Sequence, residues 1–317
     1  MSKDKSTPKS TRDWSAYNKS LVNRGDITLF VSKEFADSWY VKYDEDTKRS
    51  IGGQSKYTDN AIIALSSLKY VYKLALRAIT GFAKSLVRIM GSEQDIPDYS
   101  TLSDRFKTLK IKLPHIPSGA SGHIASLDST GLKIHGQGEW NRKKHSQRDR
   151  RQWVKMHLVI DNDSMQILGV ESTADDVHDC EVFNDLVNKL PDNINKVLGD
   201  GAYGTIGAYK TSEEANIELI ALPKSNDTVD KTSTEPHILK RNGNVGYHHE
   251  KGIYAWANKN GYWQRNRAET TMSRFKTAFS GTLSSRKVES QKNEIILKCR
   301  ILNKFMAVTD VLQDSAA

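Results

Sequence analysis

The chain has 317 residues, of which 37% are hydrophobic and 27% charged, so it can bury one large core or two ordinary ones. Its net charge of +9 favours a polyanionic partner if the positive charges cluster. The two cysteines, Cys180 and Cys299, are too few for a disulfide framework and fit a reducing cytoplasm. No apolar run approaches the ~20 residues that span a membrane, and the polar first twenty-odd residues lack the apolar stretch of a signal peptide.

The first part of the chain is predicted to be helical. Residues 1–24 are rich in Lys, Ser, Thr and Asn, and we expect a flexible basic tail. Residues 25–117 carry apolar side chains at helical spacing, and Ser100 can cap a second helix that contains Arg105. This pattern predicts a helix-turn-helix-like domain that binds DNA ends, with Arg105 as a DNA contact. The alternative is a helical bundle that only packs on the next domain.

Pro114 and Pro117, followed by Ser and Gly, predict a linker, after which residues 118–310 have an α/β pattern. The segment HIASLDSTGLKIHG predicts two short strands joined by a turn, with Asp128 at the end of the first. A carboxylate in an apolar strand is costly unless it is paired or binds a metal. Taken alone, Asp128 is better explained as a residue that caps the turn through its own backbone.

A cluster of basic residues follows, and it meets the condition stated above for a polyanionic partner. Its cationic residues are Arg142, Lys143, Lys144, Arg148, Arg150, Arg151 and Lys155, against one acid, Asp149. Trp140, Trp153 and His145 lie among them. Aromatic and Arg side chains together favour a nucleic-acid-binding surface over a solvated loop.

The residues after Trp153 alternate as a strand in which His157 is expected to be a buried, hydrogen-bonded histidine. A further strand and an amphipathic helix follow, and the helix dipole explains the acids Asp175, Asp176 and Asp179 at the start of that helix. The next strand, in INKVLGDGAYG, places Asp200 at its carboxyl end, where open α/β sheets bind ligands.

Residues 225–261 are polar and weakly periodic, and they predict an insertion before the last part of the domain. Residues 311–317 are predicted to be a tail.

The stretch from Tyr262 to Lys276 carries functional groups at the spacing Y-x2-R-x3-E-x6-K. In a helix, Arg265 and Glu269 share one face, and Lys276 lies two turns further along it. Such a pattern alone is common on salt-bridged surface helices.

With Asp128 and Asp200, however, Glu269 completes a set of three carboxylates that suits Mg²⁺ or Mn²⁺. Two such ions would activate a water or a 3′-hydroxyl for attack on a phosphodiester.

The segments LDSTGLK and LGDGAYG and the Y-R-E-K pattern, with GLKIHGQGEW, IPDYSTLSDR and GTLSSRKVESQ, lie between about residues 60 and 305. Together they resemble the DDE transposases of bacterial insertion sequences, most closely insertion-sequence family five within the Y-R-E-K signature group. The resemblance implies an α/β fold: an RNase H-like mixed sheet flanked by helices, interrupted by an insertion, after an N-terminal all-helical domain that recognises the terminal inverted repeats of the element.

The resemblance also implies the site and its partners. Asp128, Asp200 and Glu269 become the ligands of two Mg²⁺ or Mn²⁺ ions. Tyr262, Arg265 and Lys276 become DNA-backbone contacts, and Trp263 and Trp256 become stacking partners of an unpaired base. The implied activity is cleavage of the element ends and joining of the 3′-hydroxyl ends to target DNA, by a homodimer or higher oligomer in the bacterial cytoplasm, associated with the nucleoid when bound to DNA. The alternatives are an RNase H-fold nuclease without strand transfer and a domesticated DNA-binding protein.

Overall fold

The computed structural model describes residues 13–31, 38–43, 54–113, 122–135 and 153–314, with side chains as far as residue 308. The helices, in chain order, are α1 (Trp14–Asn23), α2 (Asp59–Val71), α3 (Leu76–Ile89), α4 (Tyr99–Thr108), α5 (Phe183–Val187), α6 (Ile206–Glu214), α7 (Pro236–Asn260), α8 (Asn266–Phe279) and α9 (Val288–Asp314). The strands are β1 (His123–Ile134), β2 (Trp153–Asp161), β3 (Ile167–Ala174), β4 (Ile194–Gly199), β5 (Glu218–Ala221) and β6 (Thr282–Leu283). Within these residues, no helix combines the length and apolar character needed to cross a bilayer.

The strands form one mixed sheet in the order β3-β2-β1-β4-β5, with β6 paired to the end of β1. Strands β1, β2 and β3 are antiparallel neighbours, whereas β4 and β5 run parallel to β1. Helices cover both faces of this sheet. The predicted α/β, RNase H-like fold class is therefore confirmed.

Strand β1 is continuous, and the prediction of two short strands joined by a turn was wrong. The residues Ser129 to Gly131 continue the ladder opposite His157 to Lys155. A Cβ at Gly131 would lie 3.0 Å from the ring of Trp153, so this glycine serves a close approach of the two strands rather than a turn. Asp128 consequently lies within a strand.

The two faces of the sheet pack against different helices. One face presents Leu132, Leu158 and Ile160 to a core shared with α8 and α9. The other face presents Leu127 and Val159 to a second core with α5 and α6. The alternation predicted for β2 accounts for this division, since successive side chains of a strand point to opposite faces.

The N-terminal helices belong to the first of these cores. Ile62 of α2 and Leu102 of α4 are buried in the same cluster as Leu158 of the sheet. The connection of residues 90–98 between α3 and α4 is longer than the turn of about three or four residues in a helix-turn-helix unit. The described residues therefore fit the bundle alternative more closely than a separate helix-turn-helix.

Residues 14–23, which the sequence placed in a flexible tail, form α1. Asp13 caps this helix by accepting from the backbone N–H groups of Ser15 and Ala16 at 2.8 and 3.1 Å. Helix α1 packs on α9, which itself continues to Asp314 and so extends into the predicted C-terminal tail. Tertiary packing rather than composition decides the structure of both segments.

The polar segment predicted as an insertion contains the long helix α7. Gly252 divides α7, because its φ of 78° and ψ of 169° are not helical. The part of α7 after Gly252 carries the buried Trp256. The amphipathic helix predicted before β4 is shorter than expected, since a 3-10 turn over Asp179–Val182 precedes α5.

Candidate active site

The parallel pairing of β1 and β4 brings Asp128 and Asp200 to matching positions. The last paired residues of the two strands are Ser126 and Leu198. Asp128, within β1, and Asp200, directly after β4, each follow two residues later, so both lie just beyond the paired part of the two strands. Each carboxylate is oriented by its own backbone: Asp128 Oδ1 accepts from the N–H of Ser129, and Asp200 Oδ1 from that of Ala202, both at 2.9 Å.

Helix α8 carries Glu269 to the same place. Ala268, Met272 and Phe275 are buried against the sheet, which fixes the rotation of the helix and leaves Glu269 exposed beside it. Glu269 and Asp128 line one open cleft with a volume of about 470 Å³. Two of the three predicted carboxylates therefore share a cleft, and the third, Asp200, directly follows the neighbouring strand β4.

The guanidinium group of Arg265 lies between these carboxylates. Its Nη2 donates to Glu269 Oε1 at 2.6 Å, and its Nη1 lies 3.5 Å from Asp128 Oδ1. The side chain is only 16% exposed, and Nη1 has no hydrogen-bond acceptor in the part of the chain that the structure describes. Arg265 thus neutralises the site from within rather than projecting toward solvent.

The carboxyl group of Asp128 has a raised pKa. Burial is the main cause, and the negative charges of Glu269 and Asp200 raise the pKa further, while Arg265 and the N–H of Ser129 oppose the shift. The three carboxylates are therefore close enough to repel one another. A cation between them would relieve this repulsion.

Tyr203 lies behind the aspartates, in the 3-10 turn that follows Asp200. Its side chain is fully buried, and its hydroxyl has no hydrogen-bond partner among the described residues. Burial raises the pKa of this hydroxyl, and Asp179, Asp200 and Asp128 raise it further. An unpaired hydroxyl beside carboxylates is a polar group that a bound ion or water can satisfy.

Asp179 is a residue whose place near the site the sequence did not predict. It accepts from Ser129 Oγ at 2.9 Å, and its Oδ1 lies 2.5 Å from Lys155 Nζ and 3.4 Å from His157 Nδ1. These contacts lie on the face of β1 opposite to Asp128. His157 is buried as expected, and its pKa is lowered chiefly by burial.

Because the helix dipole already explained Asp179, its contacts with Ser129, Lys155 and His157 were not predicted from the sequence. The signal that could have revealed them is the pair Lys155 and His157, whose side chains share one face of β2 and require an anionic partner. Lys155 itself, predicted as a DNA contact, makes this ion pair and donates to the carbonyl of Val177 at 3.1 Å.

Tyr262 is buried just before α8. Its ring lies 4.8 Å from that of Trp256, and its pKa is raised to about 12, mainly by burial. Trp256 is fully buried, so the expectation that it stacks on an unpaired base was wrong. Trp263 is 45% exposed, donates to Asn258 Oδ1 at 2.8 Å, and lies beside the ring of Tyr254.

The remaining predicted DNA contacts divide into three groups. Lys276 lies at the rim of the cleft, where its Nζ donates to Thr130 Oγ1 at 2.6 Å. Arg105 donates to the carbonyl of Tyr57 at 2.8 Å and to Asp59 at 2.6 Å, so it ties α4 to the start of α2. Outside the described residues lie Arg142, Lys143, Lys144, Arg148, Arg150 and Arg151.

A second group of possible metal ligands lies away from this cleft. His123, Asp161 and Asp163 meet at the turn between β2 and β3, with His123 Nδ1 at 3.2 and 3.3 Å from the two carboxylates. Asp161 also accepts from the N–H and hydroxyl of Ser164 at 3.1 and 2.6 Å. These contacts already account for the group as an ion-paired turn.

The residues at the cleft fit a divalent metal. Carboxylate oxygens are the ligands that Mg²⁺ and Mn²⁺ prefer, and Asp128, Asp200 and Glu269 supply them from three separate elements. Burial and the two neighbouring acids raise the pKa of Asp128, and a cation bound at this place would favour its ionised form.

Two family models, each described as a transposase DDE domain, match the chain over residues 120–304 and 22–137. The first match covers more than half of the chain and includes all three carboxylates. The chain therefore belongs to the DDE transposase family, whose members are metal-dependent DNA transposases.

Solved transposase structures share a loose likeness with this chain. A piggyBac transposase synaptic complex with hairpin DNA is 9% identical, with a TM-score of 0.29 and coverage of 94% of this chain and 81% of that chain. The Mos1 mariner paired-end complex with Mn is 13% identical, with a TM-score of 0.24 and coverage of 86% and 88%. A pre-cleavage Mos1 transpososome is 12% identical, with a TM-score of 0.23 and coverage of 89% and 84%. Likeness at this level assigns no role to any residue.

Proposed function

We propose that this DNA transposase cuts the ends of an insertion sequence of family five and joins the resulting 3′-hydroxyl ends to target DNA. The observation that carries the proposal is the matching position of Asp128 and Asp200 two residues beyond the last pair of the parallel strands β1 and β4, with Glu269 of α8 in the same cleft as Asp128. A phosphodiester has to be held close to several negative side chains at this place, which is favourable only with cations present.

Asp128, Asp200 and Glu269 would hold two Mg²⁺ or Mn²⁺ ions. When bound, such ions stabilise the charge on the attacking and leaving oxygens of an in-line displacement. The protein contributes the fixed spacing of the ligands, because Asp128 belongs to β1 and Asp200 directly follows β4, which is hydrogen-bonded to β1. The hydrogen bonds from the N–H groups of Ser129 and Ala202 limit the rotation of the two aspartate side chains.

Arg265 has a double role in this proposal. In the metal-free protein its guanidinium group balances Asp128 and Glu269. With cations at the carboxylates, the same group would be available for a phosphate oxygen, for which its planar donors are well suited. Tyr262 supports the turn that carries Arg265, and Lys276 supplies a further cation at the rim of the cleft.

The proposed DNA partners are the terminal inverted repeats and the target duplex. Two ends have to be processed together, so we propose a homodimer or a higher oligomer on DNA. The basic residues between positions 142 and 151 are proposed to contribute to DNA binding by neutralising phosphates. Trp263, with its exposed ring, is the remaining candidate for stacking on a base.

The site assignment is tested by neutralising each carboxylate. Asp128→Asn, Asp200→Asn and Glu269→Gln are each expected to lower cleavage of labelled element ends by about 10³-fold or more, because several kcal/mol of transition-state stabilisation is lost. DNA binding in gel-shift assays is expected to be retained, since each change removes a negative charge.

Asp163→Asn is the matched control, because it neutralises an exposed acid of the other possible ligand group. Cleavage by this variant is expected to match the unaltered protein. Robust cleavage by Glu269→Gln, or loss of cleavage only in Asp163→Asn, would place the metal elsewhere. Supplying precut ends and target DNA separates joining from cutting, and absence of joined product would leave a nuclease without strand transfer.

A further inference from the structure

A large basic groove lies between the N-terminal helices and the connection from α8 to α9. Its volume is about 870 Å³. The cationic side chains that line it are Lys69, Lys73, Lys107, Arg286, Lys287 and Lys298. Of the described residues that line the groove, only Glu294 is acidic. The groove therefore has a strong positive charge in a concave surface, where electrostatic potentials are focused.

The wall formed by the connection is held in place by Glu294. Its buried carboxylate accepts from the backbone N–H groups of Ser284 and Ser285 at 2.9 and 2.8 Å, and from Lys298 Nζ at 2.7 Å. Burial alone would raise the pKa of Glu294, but Lys298 and the donors of the connection outweigh burial, and the pKa is lowered. Glu294 and Lys298 therefore neutralise each other inside the protein, and the positive charge of the groove comes from its other five cationic side chains.

The same connection presents Arg286 and Lys287 at the surface. Both belong to the segment GTLSSRKVESQ, which the three carboxylates and the Y-R-E-K pattern leave without a role. The hydrogen bonds to Glu294 fix the backbone just before these two cations. The segment thus forms a wall of the groove whose backbone position is fixed.

Lys69 lies deeper in the groove and lacks an acidic partner. Its Nζ donates to Ser284 Oγ at 3.0 Å and lies 3.9 Å from the centroid of the Tyr70 ring. No described carboxylate forms a salt bridge with it. The pKa of Lys69 is lowered to about 8, mainly by burial, with Glu294 opposing the shift and Lys298 contributing to it. An anion beside Lys69 would compensate for this burial.

The groove and the catalytic cleft both adjoin α8. Glu269 and Lys276 line the catalytic cleft, and Phe279, at the end of the same helix, lines the groove. The rise of an α-helix places Phe279 roughly 15 Å beyond Glu269. One DNA strand advances about 3.4 Å per nucleotide along the duplex axis, so this distance corresponds to about four nucleotides.

We propose that this groove binds the sugar–phosphate backbone of a DNA duplex about four nucleotides from the phosphate held at Asp128 and Glu269. This proposal rests on the proposed function, because it locates the DNA that extends from the catalytic cleft. The occupant is a polyanion rather than a single phosphate, since the cations are spread over α2, α4 and the connection instead of converging on one point. Recognition here is of the backbone and is independent of base sequence.

The test compares two pairs of lysines that carry the same charge. Lys73→Gln/Lys287→Gln removes two exposed cations of the groove, and Lys210→Gln/Lys240→Gln removes two exposed cations of α6 and α7. Binding is measured by fluorescence anisotropy with a labelled duplex of about three helical turns, over a range of salt concentrations, with EDTA present.

The groove variant is expected to bind about tenfold more weakly per lysine near 0.1 M salt. The slope of log Kobs against log[salt] is expected to become shallower by roughly 0.9 per lysine. The control pair is expected to retain the original slope, and equal melting temperatures of all three proteins exclude unfolding as the cause.

Equal slopes for the groove variant and the control pair would overturn the proposal. Inorganic phosphate serves as the probe for a small-anion site. If phosphate raises the melting temperature of the unaltered protein but not of the groove variant, while DNA binding is equal in both, the groove is a phosphate site and the proposal is overturned. The binding slopes are measured in EDTA, where no cleavage occurs, so they do not depend on whether the catalytic residues are assigned correctly. The cleavage assay with the carboxylate variants, in turn, does not depend on the groove proposal. Failure of one proposal is therefore distinguishable from failure of the other.

Discussion

Asp128 lies where an ionised side chain is unfavourable in the metal-free protein. Its carboxylate is only 18% exposed and has two further acids nearby. Residues that serve binding or catalysis often occupy such positions at the expense of stability. The effect of replacing Asp128 on stability should therefore differ from its effect on activity.

Asp128→Asn is expected to raise the melting temperature of the metal-free protein at pH 7, on the order of 2 °C, while abolishing cleavage. Asparagine keeps the shape of the side chain and removes the charge that burial disfavours. The measurement is thermal unfolding in EDTA and again with Mn²⁺, which is expected to stabilise the unaltered protein and not the variant.

The pH dependence gives the control for this prediction. The folded-state pKa of Asp128 is raised, so the unaltered protein loses stability relative to the variant as the pH rises through that pKa. Below the unfolded carboxyl pKa of about 3.9, both side chains are neutral and the difference is expected to vanish. A variant that is less stable at pH 7 and gains relative stability in acid would show that Asp128 is favourably paired.

Several features of the site could not be predicted from residue spacing. The sequence placed Asp128, Asp200 and Glu269 on separate elements whose ends could meet, and the structure brings these ends together. Spacing gives the face of a helix but not its burial, so Trp256 was expected to contact DNA although it is fully buried. Arg265 was predicted on the same face as Glu269, but its contact with Asp128 depends on the packing of α8 on the sheet.

At the level of elements, α7 supports the active site through a break in its own backbone. Gly252 has a φ of 78° and a ψ of 169°, a region that side chains with a Cβ rarely occupy. The short segment after Gly252 packs Trp256 against Tyr262, which precedes Arg265 in the 3-10 turn before α8. The break therefore determines where the Y-R-E-K stretch begins.

Gly252→Ala is expected to destabilise the protein by about 1–3 kcal/mol, because alanine is strained in this backbone conformation. Gly243→Ala is the matched control in the same helix, where the backbone is helical and a Cβ meets no atom within 4 Å. This control is expected to stabilise the protein by roughly 0.5–1 kcal/mol. Urea unfolding measures both changes.

The two glycine variants also report on the site. If the break positions Tyr262, Gly252→Ala is expected to lower cleavage as well as stability, whereas Gly243→Ala leaves cleavage unchanged. Equal effects of the two substitutions on stability would show that α7 tolerates a continuous helix.

The element predictions that were wrong share a physical cause. The glycine in STGLK indicated a turn, but Gly131 lies in a strand because the Trp153 ring packs over it. The polar composition of residues 1–24 indicated a tail, but Asp13 caps α1 and α9 supplies its packing surface. Both outcomes depend on contacts between residues that are distant in sequence. Local patterns do not contain these contacts.

At the scale of the whole molecule, the N-terminal helices and one face of the sheet form a single core. Leu65 of α2 and Leu158 of β2 are buried in the same cluster, together with Phe275 of α8 and Leu302 of α9. The described residues of the N-terminal region are therefore structural partners of the catalytic unit. The sequence predicted the RNase H-like fold class correctly, and the helices preceding the sheet share its core, as in the alternative of a helical bundle packed on the next domain.

A chain that begins at residue 114 is expected to lose cooperative unfolding, because removal of α2 and α4 exposes the face of the sheet that carries Leu158. Thermal unfolding followed by near-UV circular dichroism and by dye binding to exposed apolar surface measures this loss. A sharp transition in the shortened chain would show that residues 114–317 form an independent domain.

Leu65→Ala in the full chain tests the same point without truncation. It is expected to lower the stability of the single transition by about 2–5 kcal/mol, the usual cost of a large cavity in a core. Two separated transitions in this variant would contradict a shared core.

The ladder between β1 and β4 also determines which changes in chain length the site tolerates. One residue inserted between Ser126 and Asp128 would turn the carboxylate to the opposite face of the sheet, away from Glu269. Two inserted residues would restore the face but displace the carboxylate by about 6.7 Å along the strand. Additions between β1 and β2 leave the register of Asp128 against Asp200 unchanged. Length variation in this transposase should therefore concentrate in the connections and be nearly absent from β1 and β4.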